Sequence, residues 1–414
     1  MQAAKQLDLG LDTGLDHFEH LHRPAHGVTL LWETAANGSR YWRKLAPGDA
    51  HIPALLRAQA GQRDSYITPN EFYAWRVVRQ LKSLRACYVD IDTAAGQDAT
   101  TTLRLILDEA IMPKPSAVVM TGRGLHLYWF LEPLPANALP VWQRVQDKLV
   151  ELLKPYGADP AVRDCSRVLR LVGSVNSKNG QTVRGLVLDP VPYAFRHLTD
   201  EVLGHREPRR IVVGDLSIER AKRGLRVPNA SIYARWHLVY RDLLAIAEHH
   251  LLGGVPEGFR DRWLFLSAVA LSWFAHADVL EYELLKQASA WTSLSDSETR
   301  KALQPVLARA AQAATGKLVP FDGKLVDPRY RFRRETLYEW MQGCIPADLA
   351  PQLRAIVSKE TKAEHERERN SKRDRVAEGR HQTHERGRTS LGEPWTALGI
   401  SRATYFRRKA AGTL

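Results

Sequence analysis

Sulfur is scarce in this chain. Its 414 residues include three cysteines, Cys87, Cys165 and Cys344, and four methionines. No two cysteines stand in a CxxC spacing, which excludes a disulfide framework and a structural zinc site of the usual kind. Long apolar runs are absent, as are a signal peptide and a lipidation motif, so no segment is expected to span or anchor in a membrane. The chain reads as cytoplasmic. A GxxxxGK[ST] loop is also missing, which excludes a P-loop motor. Negative charge is in short supply: 46 acidic residues face 59 Lys and Arg, for a formal net charge of +13 and a pI of about 9.7. That balance suits a polyanionic partner, nucleic acid first and an anionic membrane surface second. What remains is ordinary. Hydrophobic content of 44% and charged content of 25% belong to a globular protein, and the length asks for two or three domains.

The first 205 residues alternate strand-like and helix-like stretches. "VTLLWE" (28–33) and "RYWRKL" (40–45) read as paired strands, "IPALLRAQA" (52–60) as a helix, and "LRACYVDID" (84–92) as a strong strand followed by a helix near 100–110. "SAVVMT" (116–121) and "LHLYWFL" (125–131), joined by "GRG", read as a hairpin with a glycine turn. A helix is expected over 139–157 and one further strand over 167–175. This is an α+β domain. Residues 206–230 form a basic linker, and 231–356 carry helical periodicity throughout, including "TLYEWMQG" and "LAPQLRAIVSK", as an all-helical domain. Residues 357–390 are charged and nearly free of large apolar side chains, as in a disordered segment or a solvated helix. "PWTALGISRATYFRRK" (394–409) then reads as a helix-turn-helix within 391–414, with a turn at Gly399 and Ser401 as N-cap. Its second helix would offer Arg402, Thr404, Tyr405, Arg407, Arg408 and Lys409 to DNA.

Within "CYVDIDT" (87–93), Asp90 and Asp92 share one face of a strand while Val89 and Ile91 face the other way. Two adjacent carboxylates repel one another and resist burial. A wet strand face would tolerate them, but a divalent cation such as Mg²⁺ or Mn²⁺ gives them a purpose. The hairpin "TGRGLHLYW" (121–129) brings Thr121, exposed amides, Arg123 and His126 together in six residues, a phosphate cradle or simply a basic tight turn. "GADPAVRDCSRVLRLVGSVNSKNG" (157–180) supplies Asp159 and Asp164 as candidate third acids, and Asn176 and Lys178 alternate on an extended segment so that both can aim at one anion. Arg167 and Arg170 have a structural alternative, pairing with Asp164.

Taken in order, the carboxylate pair, the small-Gly-x-x-x-His hairpin and the acid followed by Arg-x-x-Arg-Leu-x-Gly-Ser-x-Asn-x-Lys resemble the DhD, sxH and hD motifs of the archaeo-eukaryotic primase superfamily. "DSYITPNEF" (64–72) is similar to the plasmid RepB-type replication primases. The resemblance covers 60–200 well and 230–355 loosely, where the helices look like the C-terminal bundle of such primases. Two positions depart from the family pattern. Val172 stands where proline is usual, and Thr121 where serine is common. The resemblance implies an RRM-like catalytic core, a helical bundle, and a primase that starts chains on single-stranded DNA by two-metal nucleotidyl transfer. It implies Asp90, Asp92 and Asp159 as holders of two Mg²⁺ or Mn²⁺ ions, with Asp164 as the alternative acid or a turn residue. It assigns Thr121, Arg123, His126, Asn176 and Lys178 to the nucleoside triphosphate. Origin DNA and a separate helicase are the implied partners. Other readings are a primase-polymerase preferring dNTPs, a non-catalytic DNA-binding initiator or regulator, and a metal-dependent nuclease, which needs no triphosphate cradle.

Overall fold

The computed structural model describes residues 10–35, 37–93, 98–204, 232–250 and 254–371, together with Leu398. Met1–Ile356 form one compact unit and Val357–Leu414 a second. The basic linker read at 206–230 and the helix-turn-helix read at 391–414, with Arg402, Thr404, Tyr405, Arg407 and Arg408, lie outside the described residues, Leu398 apart. In the second unit, residues 359–371 are helical and mostly exposed. No helix among the described residues is long and apolar enough to cross a membrane.

The first unit opens with helix α1 (Gly14–His22), then β1 (Thr29–Thr34), β2 (Arg40–Leu45), α2 (Ile52–Arg57), β3 (Tyr66–Ile67) and β4 (Glu71–Phe72). There follow β5 (Leu81–Asp92), α3 (Ala99–Glu109), β6 (Ala117–Met120), β7 (Gly124–Pro135) and α4 (Leu139–Leu153). Four short strands, β8 (Leu169–Arg170), β9 (Val175–Asn176), β10 (Gln181–Thr182) and β11 (Arg184–Val187), precede α5 (Phe195–Leu203). Two antiparallel sheets carry the fold, one of five strands in the order β11-β6-β7-β5-β4 and one of four in the order β2-β1-β3-β8.

Strand β5 is the spine. All but three of its residues are buried, the exceptions being Lys82, Asp90 and Asp92. On one side it pairs with β7, with Asp90 opposite His126 and Asp92 opposite Gly124. Past β4, its other edge has no strand partner among the described residues, and its backbone groups are met in turn by something else. Trp142 Nε1 of α4 donates to the Ala86 carbonyl at 3.0 Å. Gln146, one helical turn on, accepts from the Tyr88 N–H at 3.1 Å and donates to its carbonyl. The Asp159 N–H donates to the Asp90 carbonyl at 2.8 Å, and the Asp92 N–H donates to the Gly157 carbonyl at 3.0 Å. Buried amides left unpaired would cost about 1–3 kcal/mol each, so this seal is a substantial part of what fixes α4 and the 157–159 segment on the sheet.

Helices α6 (Ile232–His249), α7 (Arg260–Leu271), α8 (Ala277–Trp291) and α9 (Asp296–Ala314) pack on one another, followed by the β12–β13 hairpin (Val319–Phe321, Lys324–Val326) and α10 (Arg334–Met341). α8 is tied to the sheet region by Glu283, whose buried carboxyl accepts from the Val78 N–H at 2.9 and 3.0 Å and is pushed by burial up to about 8. Three expectations are corrected. Residues 167–175 are not one strand but β8 and β9, because Gly173 turns between them at φ +84°. "LAPQLRAIVSK" forms only a single turn, Ala350–Gln352, because the N–H groups of Arg354, Ala355 and Ile356 donate to the Asp242 carboxylate instead of to helical carbonyls. The stretch 231–356, read as all-helical, is also interrupted by the β12–β13 hairpin, and α1, α5, β10 and β11 had no counterpart in the sequence reading.

Candidate active site

The edge pattern of β5 decides the geometry of its two acids. Because the Tyr88 and Asp90 backbone groups point away from β7, Asp90 and His126 form a non-hydrogen-bonded cross-strand pair, the kind in which side chains approach most closely. His126 Nε2 lies 3.5 Å from Asp90 Oδ1. The hairpin that delivers His126 turns through Thr121, Gly122 and Arg123, with Gly122 at φ +93°. Gly124 must be glycine for a different reason: a Cβ there would sit 2.1 Å from the Ile91 carbonyl oxygen.

Asp159 reaches the pair through the same edge. Ala158 bridges Ile91 in antiparallel fashion, so Asp159 falls beside Asp90 and Gly157 beside Asp92. A single cavity of about 520 Å³ is lined by Asp90, Asp92 and Asp159, by Thr121, Arg123 and His126 from the hairpin, and by Asn176 and Lys178 after β9. All eight residues assigned by resemblance therefore meet in one place. Asp164 is not among the lining residues. Its Oδ1 accepts from the Ser166 N–H and hydroxyl at 3.1 and 2.7 Å, and its Oδ2 pairs with Arg167 at 2.8 Å, a turn-capping role.

The eight are not equivalent. The Thr121 hydroxyl donates to the Gly124 carbonyl at 3.1 Å, and the Asn176 amide donates to the Thr121 carbonyl at 2.8 Å while accepting from the Lys178 N–H at 3.1 Å. The Thr121 bond closes the hairpin turn, and Asn176 holds that turn against β9. Arg123 and Lys178 are exposed, and neither is paired with a carboxylate among the described residues. Five further lining residues, Tyr66, Thr93, Val168, Leu169 and Arg170, carry no site role in the sequence reading. Arg170 does not pair with Asp164. Its guanidinium bonds Asp64 at 2.7 Å and lies 4.9 Å from the Tyr66 ring centre.

Electrostatics sharpens the picture. Burial pushes the Asp90 carboxyl up to about 7, and the negative charges of Asp92 and Asp159 push it the same way. Burial holds His126 down to about 3, helped by Arg170, so its imidazole is neutral near pH 7. Among the described residues no three His, Cys, Asp or Glu side chains converge closely enough to hold a metal ion as they stand. Three carboxylates on one cavity suit a hard divalent cation that completes its oxygen shell from water and phosphate, and the mutual repulsion that raises Asp90 is what such a cation relieves.

These residues fall inside a segment that matches a known sequence family. Residues 68–188 match the family described as the RepB DNA-primase N-terminal domain, so the resemblance read from the motifs is found independently over that stretch. Among individual proteins, a replication protein of Clostridium perfringens is 34% identical over 135 residues, which are 31% of this chain and 33% of that protein, so the match spans about a third of the relative's length. Solved structures that resemble the chain include the AEP domain of the cyanophage S-2L primase-polymerase, at 20% identity, 46% of this chain, 96% of that one and a TM-score of 0.36. The catalytic domain of primase RepB′ in complex with initiator DNA is 20% identical over 52% of this chain and all (100%) of that one, at a TM-score of 0.31.

Proposed function

We propose that this chain is a DNA primase of a plasmid or related mobile element, which joins nucleoside triphosphates on a single-stranded DNA template to start replication. The observation that supports this best is the meeting of three carboxylates with Arg123, His126 and Lys178 in one nucleotide-sized cavity within the matched segment. In the reaction the primer 3′-hydroxyl oxygen attacks the α-phosphorus of the incoming nucleotide, its proton is lost, and pyrophosphate leaves. Asp90, Asp92 and Asp159 would hold the divalent cations, which supply charge neutralisation and a more acidic hydroxyl when bound. Arg123 and Lys178 offset triphosphate charge as it shifts toward pyrophosphate. His126, neutral and buried, offers a fixed imidazole beside Asp90, which favours positioning over proton transfer. Primer synthesis on unlabelled template with NTPs, and separately with dNTPs, tests the reading. No product with either nucleotide set and Mg²⁺ or Mn²⁺ would reject it.

Two further outcomes are expected. Lys178→Ala and His126→Ala should raise the KM for the incoming nucleotide by roughly tenfold, the size of one charged or polar phosphate contact, with template affinity little changed. Steady-state kinetics with each substrate varied in turn checks this, and an effect confined to template would move both residues out of the nucleotide site. Deleting residues 359–414 should leave priming on a generic template intact, because Met1–Ile356 have their own core. Binding to the element's own origin DNA should weaken and become less salt-dependent, since Arg402, Arg407 and Arg408 are lost. Unchanged origin affinity and salt slope would show that the tail is not a DNA-binding element.

A further inference from the structure

The four-stranded sheet carries an aromatic row that the catalytic chemistry does not use. Trp42 of β2 lies directly opposite Trp32 of β1, Trp32 opposite Tyr66 of β3, and Tyr66 opposite Arg170 of β8. One position from each of four adjacent strands thus forms a line across the sheet, roughly 14 Å long at ordinary strand spacing. The Trp32 and Trp42 rings are stacked at 5.5 Å with 13° between planes, and Tyr66 follows Trp32 at 5.3 Å.

Cross-strand aromatic pairs stabilise sheets, so stacking alone could be packing. Three other observations point to a ligand. The inner end of the row is the wall of the catalytic cavity, to which both Tyr66 and Arg170 contribute. The three rings are only half-buried. Cations accompany them: Arg40 lies 5.4 Å from the Trp32 ring centre and Arg76 4.6 Å from that of Trp42. Arg40 and Lys44 flank Trp42 on the same face of β2, are exposed, and have no carboxylate partner among the described residues. Aromatic faces interleaved with unpaired cations, leading into a site for phosphate chemistry, match a flexible polyanion with stackable bases. A duplex, whose bases are already stacked, does not fit.

We propose that this row is the path by which single-stranded template DNA enters the cavity. Bases stack on Trp42 and Trp32, and the backbone runs along Arg40 and Lys44. The proposal rests on the primase reading and adds to it a location for the template. The full chain is irradiated with a dT oligonucleotide carrying one iododeoxyuridine, without nucleotide or metal, and the crosslinked peptides are mapped. Crosslinks are expected at Trp32, Trp42 or Tyr66, and crosslinks confined to other segments overturn the proposal. In primer synthesis, Trp42→Ala should raise the template KM roughly tenfold with the nucleotide KM unchanged. Trp42→Phe, which keeps a ring, should recover most of the loss. Arg40→Gln with Lys44→Gln should reduce the magnitude of the salt slope for dT binding by about 1.4. A normal template KM in Trp42→Ala, or a folded Trp42→Phe no better than Ala, assigns the row to packing and ends the proposal. Crosslinking at the row without any primer synthesis would sink the primase reading and keep the path. Primer synthesis with crosslinks elsewhere would do the reverse.

Discussion

Asp90→Asn is expected to abolish primer synthesis while making the metal-free protein more stable, a combination that an ordinary structural residue does not give. The carboxyl at Asp90 is raised from the usual carboxylate range to about 7 by burial and by Asp92 and Asp159. A folded-state pKa above the unfolded value means that ionisation disfavours the native state. The penalty is absent below about pH 4, grows as pH rises toward 7 and is constant above. At pH 8 its removal should stabilise the variant by about 1–2 kcal/mol, discounted because the side chain is 25% exposed, which is a few degrees in Tm. Near pH 4 the two proteins should melt alike. Adding Mg²⁺ or Mn²⁺ should raise the Tm of the wild type and leave the variant nearly unmoved, because only the wild type keeps the full donor set. Asp92→Asn should lose activity equally. A melting curve at pH 8 with and without metal, beside a dinucleotide-formation assay, measures all of this. Substantial activity in either variant, or a metal response in Asp90→Asn equal to that of the wild type, would refute the assignment of these acids.

The second large effect is expected at a residue with no side chain. Gly157 has φ +94°, and a Cβ there would lie 2.2 Å from the Asp92 carbonyl oxygen. Gly157→Ala carries a left-handed backbone cost of about 1–2 kcal/mol and an overlap that only backbone movement can relieve. The segment that moves is the one that sets Asp159 beside Asp90. A displacement of the order of 1 Å at a reacting centre can cost about 100-fold in rate, and at least that loss is expected here. Gly61→Ala is the control. It has φ +75° and nothing within 4 Å of its Cβ position, so it should lose about 1 kcal/mol of stability and keep its activity. If the two variants lose activity alike, the close approach to Asp92 is not what matters at Gly157.

Much of the site was legible because it depends on local periodicity. Alternation in "CYVDIDT" put both acids on one face, and the glycine turn before "LHLYW" made a hairpin whose register then set His126 against Asp90. What the sequence could not show was edge closure. The spacing of Trp142 and Gln146 marks one buried face of a helix, but nothing in that spacing says that both side chains finish the hydrogen bonds of β5. The partner of Arg170 was not legible for a similar reason. Asp164 is near it in sequence, whereas its partner Asp64 is 106 residues away and is held at φ +54°. The run 167–175 alternates apolar residues well enough to imitate one strand, and only the φ of Gly173 breaks it.

The sealed edge of β5 also bears on how the protein behaves in concentrated solution. A long, apolar strand with a bare row of amides is a template onto which a second molecule can add a strand, the first step toward aggregation. Here β5, a long and largely buried strand of the five-stranded sheet, offers no such row from Ala86 to Asp92, since two side chains and the 157–159 backbone already occupy it. β2, an edge strand of the other sheet, carries exposed Arg40 and Lys44, whose like charges disfavour pairing with a second copy of itself. The same closure that brings Asp159 to the cavity therefore also removes the β5 amides as a template for strand addition.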